Sequence, residues 1–337
     1  MRVMKRAAVG AASVLLVLGA ASVPIGPASG RPVPAVLDGQ LLYAVQDPAL
    51  EDLAVYTVNP DGSHDRQVYD QPMECPHWSP DGSQIASCGA PVGDTTLLTV
   101  DTGATRFLPS LDPAMQTPCY VWSSDGDRLA CEGWSDDNPS LNGLFTVRVR
   151  DWGDARRLTS NPGGSDIPGD YSPNSQRLVF GRSITGSDTE LALFRINTNG
   201  TGLRRLTPPT VVAASPGAWS PQGNQILFSG RTDSEHRQTL WVIHADGTGL
   251  HTMTVSGFAC GGSFGDPQSV GCSDPVWSPN GRHIAFRVNR ADGTMLEEAN
   301  ADGSQPHEVA DMGFDPGGVD WGTHTPATTS DGLVGAR

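Results

Sequence analysis

Positive charge is scarce in this sequence. It has 22 basic residues against 37 acidic ones, the formal net charge is −15, and no lysine occurs after Lys5. Proteins that bind nucleic acid or anionic membranes through charge need the opposite balance. The composition therefore argues against both partner classes and leaves a protein or a carbohydrate as the expected partner.

Long apolar runs are also absent, with one exception near the start. The run Ala7–Ala21 follows three basic residues and precedes Ala28-Ser29-Gly30, a plausible cleavage site. It is too short for a comfortable transmembrane helix and is typical of a secretory signal. We predict a signal peptide over residues 1–30 and a linker over 31–36, with no membrane insertion after cleavage. Loss of the signal would change the net charge from −15 to −18.

Cysteine is missing before Cys75, which excludes a lipid-modified N-terminal cysteine. The expected product is an exported monomer, secreted or held in the cell envelope. Six cysteines in an exported chain predict disulfides, although fifteen pairings are formally available. Cysteines flank each of two hairpins and one insertion, which favours Cys75–Cys88, Cys119–Cys131 and Cys260–Cys272. A Cys75–Cys119 bridge remains an alternative.

Catalytic and metal-binding motifs are lacking. The segment "GGSFG", Gly261–Gly265, matches a nucleophile pattern with Ser263, but no helix can follow it, so we interpret it as coincidence. The histidines form no HxH or HExxH pair, and the cysteines form no zinc-type cluster. We predict no catalytic residue, no metal ligand and no cofactor. A weak calcium site in "SDDNPSLNG" stays open, although that loop lacks the glycine and glutamate of a calcium loop.

The sequence does contain a repeated motif, seen first in "HWSPDGSQIASCG". Pro80, Asp81 and Gly82 have the conformational preferences of a tight turn. The residues after the turn have the period-2 pattern of a strand, which predicts a β-hairpin with Trp78 at one strand end. A single hairpin is only marginally stable in water, so this unit must pack against others.

Five further copies follow at spacings of 44, 49, 48, 58 and 44 residues, which are typical of propeller blades. A second hairpin lies between copies, so each repeat has four strands. The last copy is incomplete, and "LDGQLLYAVQ", Leu37–Gln46, contains the missing part. The repeats predict an all-β, six-bladed propeller of four-stranded antiparallel blades, closed by the N-terminal strand joining the C-terminal blade. The aromatic residues at the repeat position, called the anchors below, are predicted to pack the blades together: Trp78, Trp122, Tyr171, Trp219, Trp277 and Trp321.

The Trp-Ser-Pro-Asp-Gly repeat resembles that of TolB-like propellers, a branch of the WD-repeat-like families. The resemblance covers residues 37–325 and implies a propeller that serves as an interaction scaffold. It also implies, as an alternative, an extracellular polysaccharide-acting enzyme, a lyase or hydrolase. TolB has an α/β domain before its propeller, and we expect this chain to lack one. The tail over 326–337 is predicted to be disordered.

We expect the binding site at the end of the ring where the long connections emerge, because binding residues usually lie on loops of a rigid scaffold. There Trp134, Asp136 and Asp137 place an aromatic ring beside two carboxylates, a combination suited to a sugar or a cationic side chain. The remaining binding candidates at this end are Asp166, Asp170 and His236.

Overall fold

The computed structural model describes residues 39–47, 52–69, 71–88, 95–184, 187–232, 238–256, 260, 271–290, 293–313 and 317–324. These residues form twenty-five strands and one short 3₁₀ helix, Pro139–Leu141. In chain order the strands are β1 (Gln40–Asp47), β2 (Asp52–Val58), β3 (Arg66–Tyr69), β4 (Glu74–Trp78), β5 (Gln84–Cys88), β6 (Thr95–Thr99), β7 (Ala104–Leu108), β8 (Cys119–Trp122), β9 (Arg128–Gly133), β10 (Gly143–Arg148), β11 (Gly153–Arg157), β12 (Asp166–Tyr171), β13 (Arg177–Ile184), β14 (Ser187–Asn197), β15 (Arg204–Arg205), β16 (Val211–Ala213), β17 (Ala218–Trp219), β18 (Gln225–Thr232), β19 (Thr239–His244), β20 (His251–Thr252), β21 (Gly271–Trp277), β22 (His283–Arg290), β23 (Gly293–Asn300), β24 (His307–Gly313) and β25 (Val319–Gly322).

The strands form five antiparallel sheets. Three of them are consecutive four-stranded meanders, β4–β7, β8–β11 and β21–β24, as the repeat predicts. A fourth, called the terminal sheet below, has the order β25-β1-β2-β3. The fifth has nine strands. The all-β class and the four-stranded antiparallel repeat are therefore confirmed.

The nine-stranded sheet departs from the prediction of separate blades. It joins two four-stranded repeats, β12–β15 and β17–β20, through the additional strand β16. Ala213 of β16 pairs with Leu191 of β14, while β16 also pairs along β18 from Val211 to Ala213. The linker between these repeats is thus a strand in its own right, because its backbone groups find partners on both sides.

Each anchor occupies the same position in its strand, opposite an aliphatic residue of the strand it pairs with. The pairs are Trp78 with Ile85, Trp122 with Leu129, Tyr171 with Leu178, Trp219 with Ile226, Trp277 with Ile284 and Trp321 with Leu41. In the first hairpin the Gly82 N–H donates to the Ser79 carbonyl at 2.8 Å, and the Ser79 N–H donates to the Gln84 carbonyl at 2.8 Å. The tight turn predicted from the sequence is therefore present.

The terminal sheet joins strands from opposite ends of the described chain. β25 pairs with β1 over four positions, from Gln40 with Gly322 to Tyr43 with Val319. Gly39, just before β1, has a φ of +77°, and a Cβ built there would meet the Gly322 carbonyl oxygen at 1.8 Å. Glycine is required at this position both for its backbone conformation and for the close approach of β25.

Three disulfides are present, and they are the three that the sequence favours. Cys75–Cys88, Cys119–Cys131 and Cys260–Cys272 have Cα–Cα distances of 5.4, 3.9 and 5.3 Å. The cross-repeat alternative is thereby ruled out. The first two bridges link neighbouring strands at the end opposite the Ser-Pro turns, where the connections are long.

Within the described residues, no helix is long and apolar enough to span a membrane. The predicted signal peptide, the linker, the GGSFG segment, His236 and the tail over 326–337 lie outside the described residues.

Candidate functional site

A cavity of about 400 Å³ lies where the first strands of the repeats come together. All six anchors line it, together with turn residues such as Ser79, Pro173 and Pro279. It therefore opens at the end that carries the tight Ser-Pro turns. The long connections, which we expected to form the binding face, leave from the opposite strand ends.

The anchors form the wall of this cavity and are themselves well packed. Trp78 is 5% exposed and Tyr171 is 2% exposed. Each anchor belongs to a hydrophobic cluster that includes residues of a neighbouring repeat: Trp122 packs in a cluster with Ala86 and Leu97, for example, and Trp277 in one with Leu227 and Leu240. The anchors thus contribute apolar contact between repeats, which is the role expected of a position that recurs in every blade.

The residue just before each anchor also lines the cavity. These residues are His77, Val121, Asp170, Ala218, Val276 and Asp320. Three of the six are titratable and three are apolar, although the strands that carry them are repeats of one another. The residue type therefore varies at this position while the surrounding strands repeat, and this makes the position the best candidate for function.

The two carboxylates at this position make the same backbone contact in different repeats. The Asp170 Oδ2 accepts a hydrogen bond from the Trp219 N–H at 2.8 Å, and the Asp320 Oδ2 accepts one from the Trp78 N–H at 2.7 Å. In each case the donor is the anchor of the next repeat, which for Asp320 lies 242 residues away in the sequence. Each carboxylate therefore links its own repeat to its neighbour, and the Asp320 Oδ1 also accepts a hydrogen bond from the Trp321 N–H at 2.8 Å.

Burial dominates the electrostatics of Asp170. Burial and, to a smaller extent, the negative charge of Asp320 raise the pKa of this carboxyl, the backbone N–H groups of Trp219 and Tyr171 lower it, and the net result is a pKa of about 8. At neutral pH the protonated form is therefore favoured. A cation placed in the cavity would reverse that preference, because it would compensate the charged carboxylate.

His77 is the third titratable group. Its Nδ1 lies 3.7 Å from the Asp320 Oδ2, and its ring stacks on Tyr120 with the centroids 5.5 Å apart. Burial lowers the pKa of His77, and the nearby Asp320 charge opposes that effect. The neutral imidazole is thus favoured near pH 7, where it can accept or donate a hydrogen bond.

The predicted cluster of Trp134, Asp136 and Asp137 lies away from this cavity, in the connection after β9. Trp134 is partly buried, and its backbone pairs with Gln116 in an isolated bridge. Asp136 and Asp137 are exposed. None of these three residues lines the cavity that contains Asp170.

Asp166 is fully buried and its carboxylate is satisfied within the protein. It forms a bidentate ion pair with Arg182, with both N–O distances at 2.7 Å, and it accepts further hydrogen bonds from Thr159 and Asn161. Such a carboxylate has little capacity left for a ligand. Asp166 and Asp170, expected at one mouth, lie near opposite ends of β12.

Sequence reasoning missed Asp320 and did not connect His77 with it. A signal was available: aligning the repeats on the anchors places His77, Asp170 and Asp320 in one column, directly before the aromatic residue. Across the described part of the chain, no group of three or more His, Cys, Asp or Glu side chains is arranged to hold a metal ion.

Three comparisons bear on this architecture. An uncharacterized protein of Agrobacterium fabrum is 26% identical over 273 residues, which is 66% of this chain and 87% of that protein. The fold is similar to TolB from Acinetobacter baumannii, with a TM-score of 0.67 and 17% identity over 86% of this chain and 68% of that one. It is also similar to oligogalacturonate lyase from Vibrio parahaemolyticus, with a TM-score of 0.55 and 12% identity over 81% and 74% of the two chains.

The two solved structures are too distant in sequence to indicate more than a shared fold. The family described as the TolB beta propeller domain matches residues 33–325. That range contains every strand described above, so this chain belongs to the TolB beta propeller domain family.

Proposed function

We propose that this protein is an exported, non-catalytic binding module, an interaction scaffold of the cell envelope or extracellular space. Its six repeats would close into a ring through the β25–β1 pairing, and its ligand would enter the cavity lined by the anchors. The observation that supports this site is the pairing of aromatic walls with Asp170 and Asp320 in one cavity. Aromatic rings and carboxylates together suit a cationic group, such as an arginine or lysine side chain of a protein partner.

Export is supported by the three disulfides, which persist in oxidising compartments. The ring is supported by the register of the terminal sheet, in which Trp321 and Leu41 take the positions that an anchor and its partner hold in the other repeats.

Binding can be tested by affinity capture with protein starting at Arg31 as bait, followed by mass spectrometry and reconstitution with the purified partner. The Asp170→Asn, Asp320→Asn variant keeps a side-chain oxygen that can accept from the Trp219 and Trp78 N–H groups, but it removes both negative charges. We expect it to lose the partner, whereas a variant with Trp134→Ala, Asp136→Ala and Asp137→Ala retains it. Loss only in the second variant would move the site to the long connections, as the sequence first suggested.

Ring closure has its own test in two glycines with similar backbone conformations. Gly39 has a φ of +77° and Gly126 a φ of +72°, but a Cβ on Gly126 would meet nothing within 4 Å. Gly126→Ala should cost about 1 kcal/mol for its positive φ. Gly39→Ala should cost about 2–4 kcal/mol, because the β1–β25 contact is also displaced. Equal losses in urea unfolding would mean that this pairing does not hold the fold together.

A second candidate is an enzyme acting on extracellular polysaccharide. It is favoured by one observation: His77, Asp170 and Asp320 line the same cavity, so two carboxyl groups and an imidazole share one space, and the pKa values of Asp170 and His77 are shifted there. The fold similarity to an oligogalacturonate lyase suggests a polyuronate as the first substrate to try. Formation of unsaturated products that absorb in the ultraviolet, abolished by Asp170→Asn, would establish this function and overturn the non-catalytic one.

A further inference from the structure

Three arginines lie side by side on one face of the repeat formed by β12–β15. Arg195 of β14 lies directly opposite Arg204 of β15. Arg177 of β13 pairs with Asn197, two positions along β14 from Arg195. Residues two apart on a strand share a face, so all three side chains project the same way. Directly opposed residues in such a pair have Cβ atoms about 5 Å apart.

None of these three guanidinium groups has an ion pair or a side-chain hydrogen bond among the residues that the structure describes. The Nε of Arg195 is a buried donor without a partner. By contrast, Arg182 on the same sheet has a counter-charge, because it forms a bidentate ion pair with Asp166. In a chain of net charge −15, three adjacent unpaired arginines are an exception that needs a cause.

The positive charges of these arginines disfavour one another. Burial lowers the pKa of Arg195, and the charges of Arg177 and Arg204 lower it further, with only a minor opposing effect from Asp246. The Asp246 carboxylate is engaged in its own turn, where it accepts hydrogen bonds from the Thr248 N–H at 2.9 Å and the Thr248 hydroxyl at 2.7 Å. Like charges directly opposite on a sheet destabilise it.

Space for a ligand adjoins Arg177. A cavity of about 270 Å³ lies between the Ser172–Asn174 turn and the turn of the next repeat that contains Gln222 and Gly223. It is separate from the cavity that the six anchors line, apart from shared wall residues such as Trp219 and Pro173. The amides of Asn174 and Gln222 add polar groups to its wall.

We propose that Arg177, Arg195 and Arg204 form a binding site for a tetrahedral oxyanion of the phosphate or sulfate class, either free or as an ester. Guanidinium groups offer paired N–H donors that match the oxygens of such an anion, and bonds between ionised partners are about twice as strong as neutral ones. An anion bound among them would offset the repulsion among the three cations. This site is independent of the cationic ligand proposed for the larger cavity.

The test is calorimetric titration with inorganic phosphate at constant ionic strength. We expect saturable binding to the wild type and a loss of about tenfold or more in affinity for Arg195→Gln, Arg204→Gln. The charge-matched control is Arg205→Gln, Arg282→Gln, because Arg205 projects from the other face and donates to the Thr207 carbonyl. Equal weakening in both double variants would reduce the effect to net charge and overturn the proposal, as would absence of phosphate binding to the wild type.

A second measurement does not depend on ligand affinity. Without phosphate, Arg204→Gln should raise the thermal midpoint by about 1–3 °C, because it removes a like-charge pair. With saturating phosphate the wild type should have the higher thermal midpoint and Arg204→Gln the lower one. A midpoint lowered in both conditions would show that Arg204 is only structural. Titration with phenyl phosphate separates the sources: binding comparable to phosphate indicates an ester, and binding of phosphate alone indicates the free ion.

Discussion

Asp166 and Asp170 are the same residue type on the same strand, four positions apart, and they do different things. Asp166 is fully buried against Arg182, which supplies a positive charge and two donors. Asp170 has only backbone donors, faces the cavity, and has its pKa raised to about 8. A carboxylate whose charge is satisfied within the protein contributes to stability, whereas one left without a cation is available to a ligand.

The largest expected effect comes from breaking the satisfied pair. Asp166→Ala leaves the Arg182 guanidinium partly buried with no counter-charge, and removal of one partner of a buried pair costs about 3–5 kcal/mol. Urea unfolding should show this loss, while Asp170→Asn should change the free energy of unfolding at pH 7 by less than about 1 kcal/mol. Equal losses in the free energy of unfolding for the two variants would contradict the conclusion that Asp166 stabilises the fold more than Asp170 does.

The pH dependence of stability should identify Asp170. Its pKa is near 3.8 when unfolded and about 8 when folded, so the folded state holds the proton more tightly between those values. Stability contributed by this proton is present below about pH 4 and is lost as the pH rises towards 8. Because the carboxyl retains partial access to the cavity, we expect a loss of about 2 kcal/mol over that range, less than a shift of this size allows in full.

The control is Asp170→Asn, which cannot titrate and should unfold with a flatter pH profile between 4 and 8. Other acidic groups titrate in both proteins, so the quantity to compare is the difference between their profiles. A constant difference across this range would contradict the raised pKa.

The smallest effect concerns communication between the two cavity carboxylates. Asp320 raises the pKa of Asp170 through its negative charge. Asp320→Asn should therefore lower the pKa of Asp170, by a fraction of a unit, as followed by carbon NMR of the side-chain carboxyl. An unchanged value would mean that Asp320 is too far or too screened to matter, and the cavity would then present two independent carboxyl groups.

Features repeated along the chain could be predicted from the sequence. The anchor spacing led to the four-stranded repeats, and the position of each cysteine within its repeat led to the three disulfides. In both cases the information is local, since each hairpin contains its own turn and its own alternation. The same periodicity indicated that Leu37–Gln46 belongs with the last repeat, and β1 indeed pairs with β25.

Features set by tertiary pairing could not be predicted in this way. β16 has only three residues, and it is a strand because β14 and β18 happen to flank it. Asp320 was overlooked because the donor it serves, the Trp78 N–H, is 242 residues away. Nothing in the local sequence of Asp166 and Asp170 tells which one faces an arginine and which one faces a cavity, because Arg182 lies on the next strand.

The pairing of β1 with β25 has a consequence for the order of assembly during synthesis. Among the strands described here, β1, which begins at Gln40, is synthesised first, and its partner β25, which ends at Gly322, is synthesised last. Until then, the edge of β1 and the Trp78 N–H have no partner from β25 or Asp320. The terminal sheet therefore completes only after translation has passed Gly322, and until then the edge of β1 stays open to pairing with other strands.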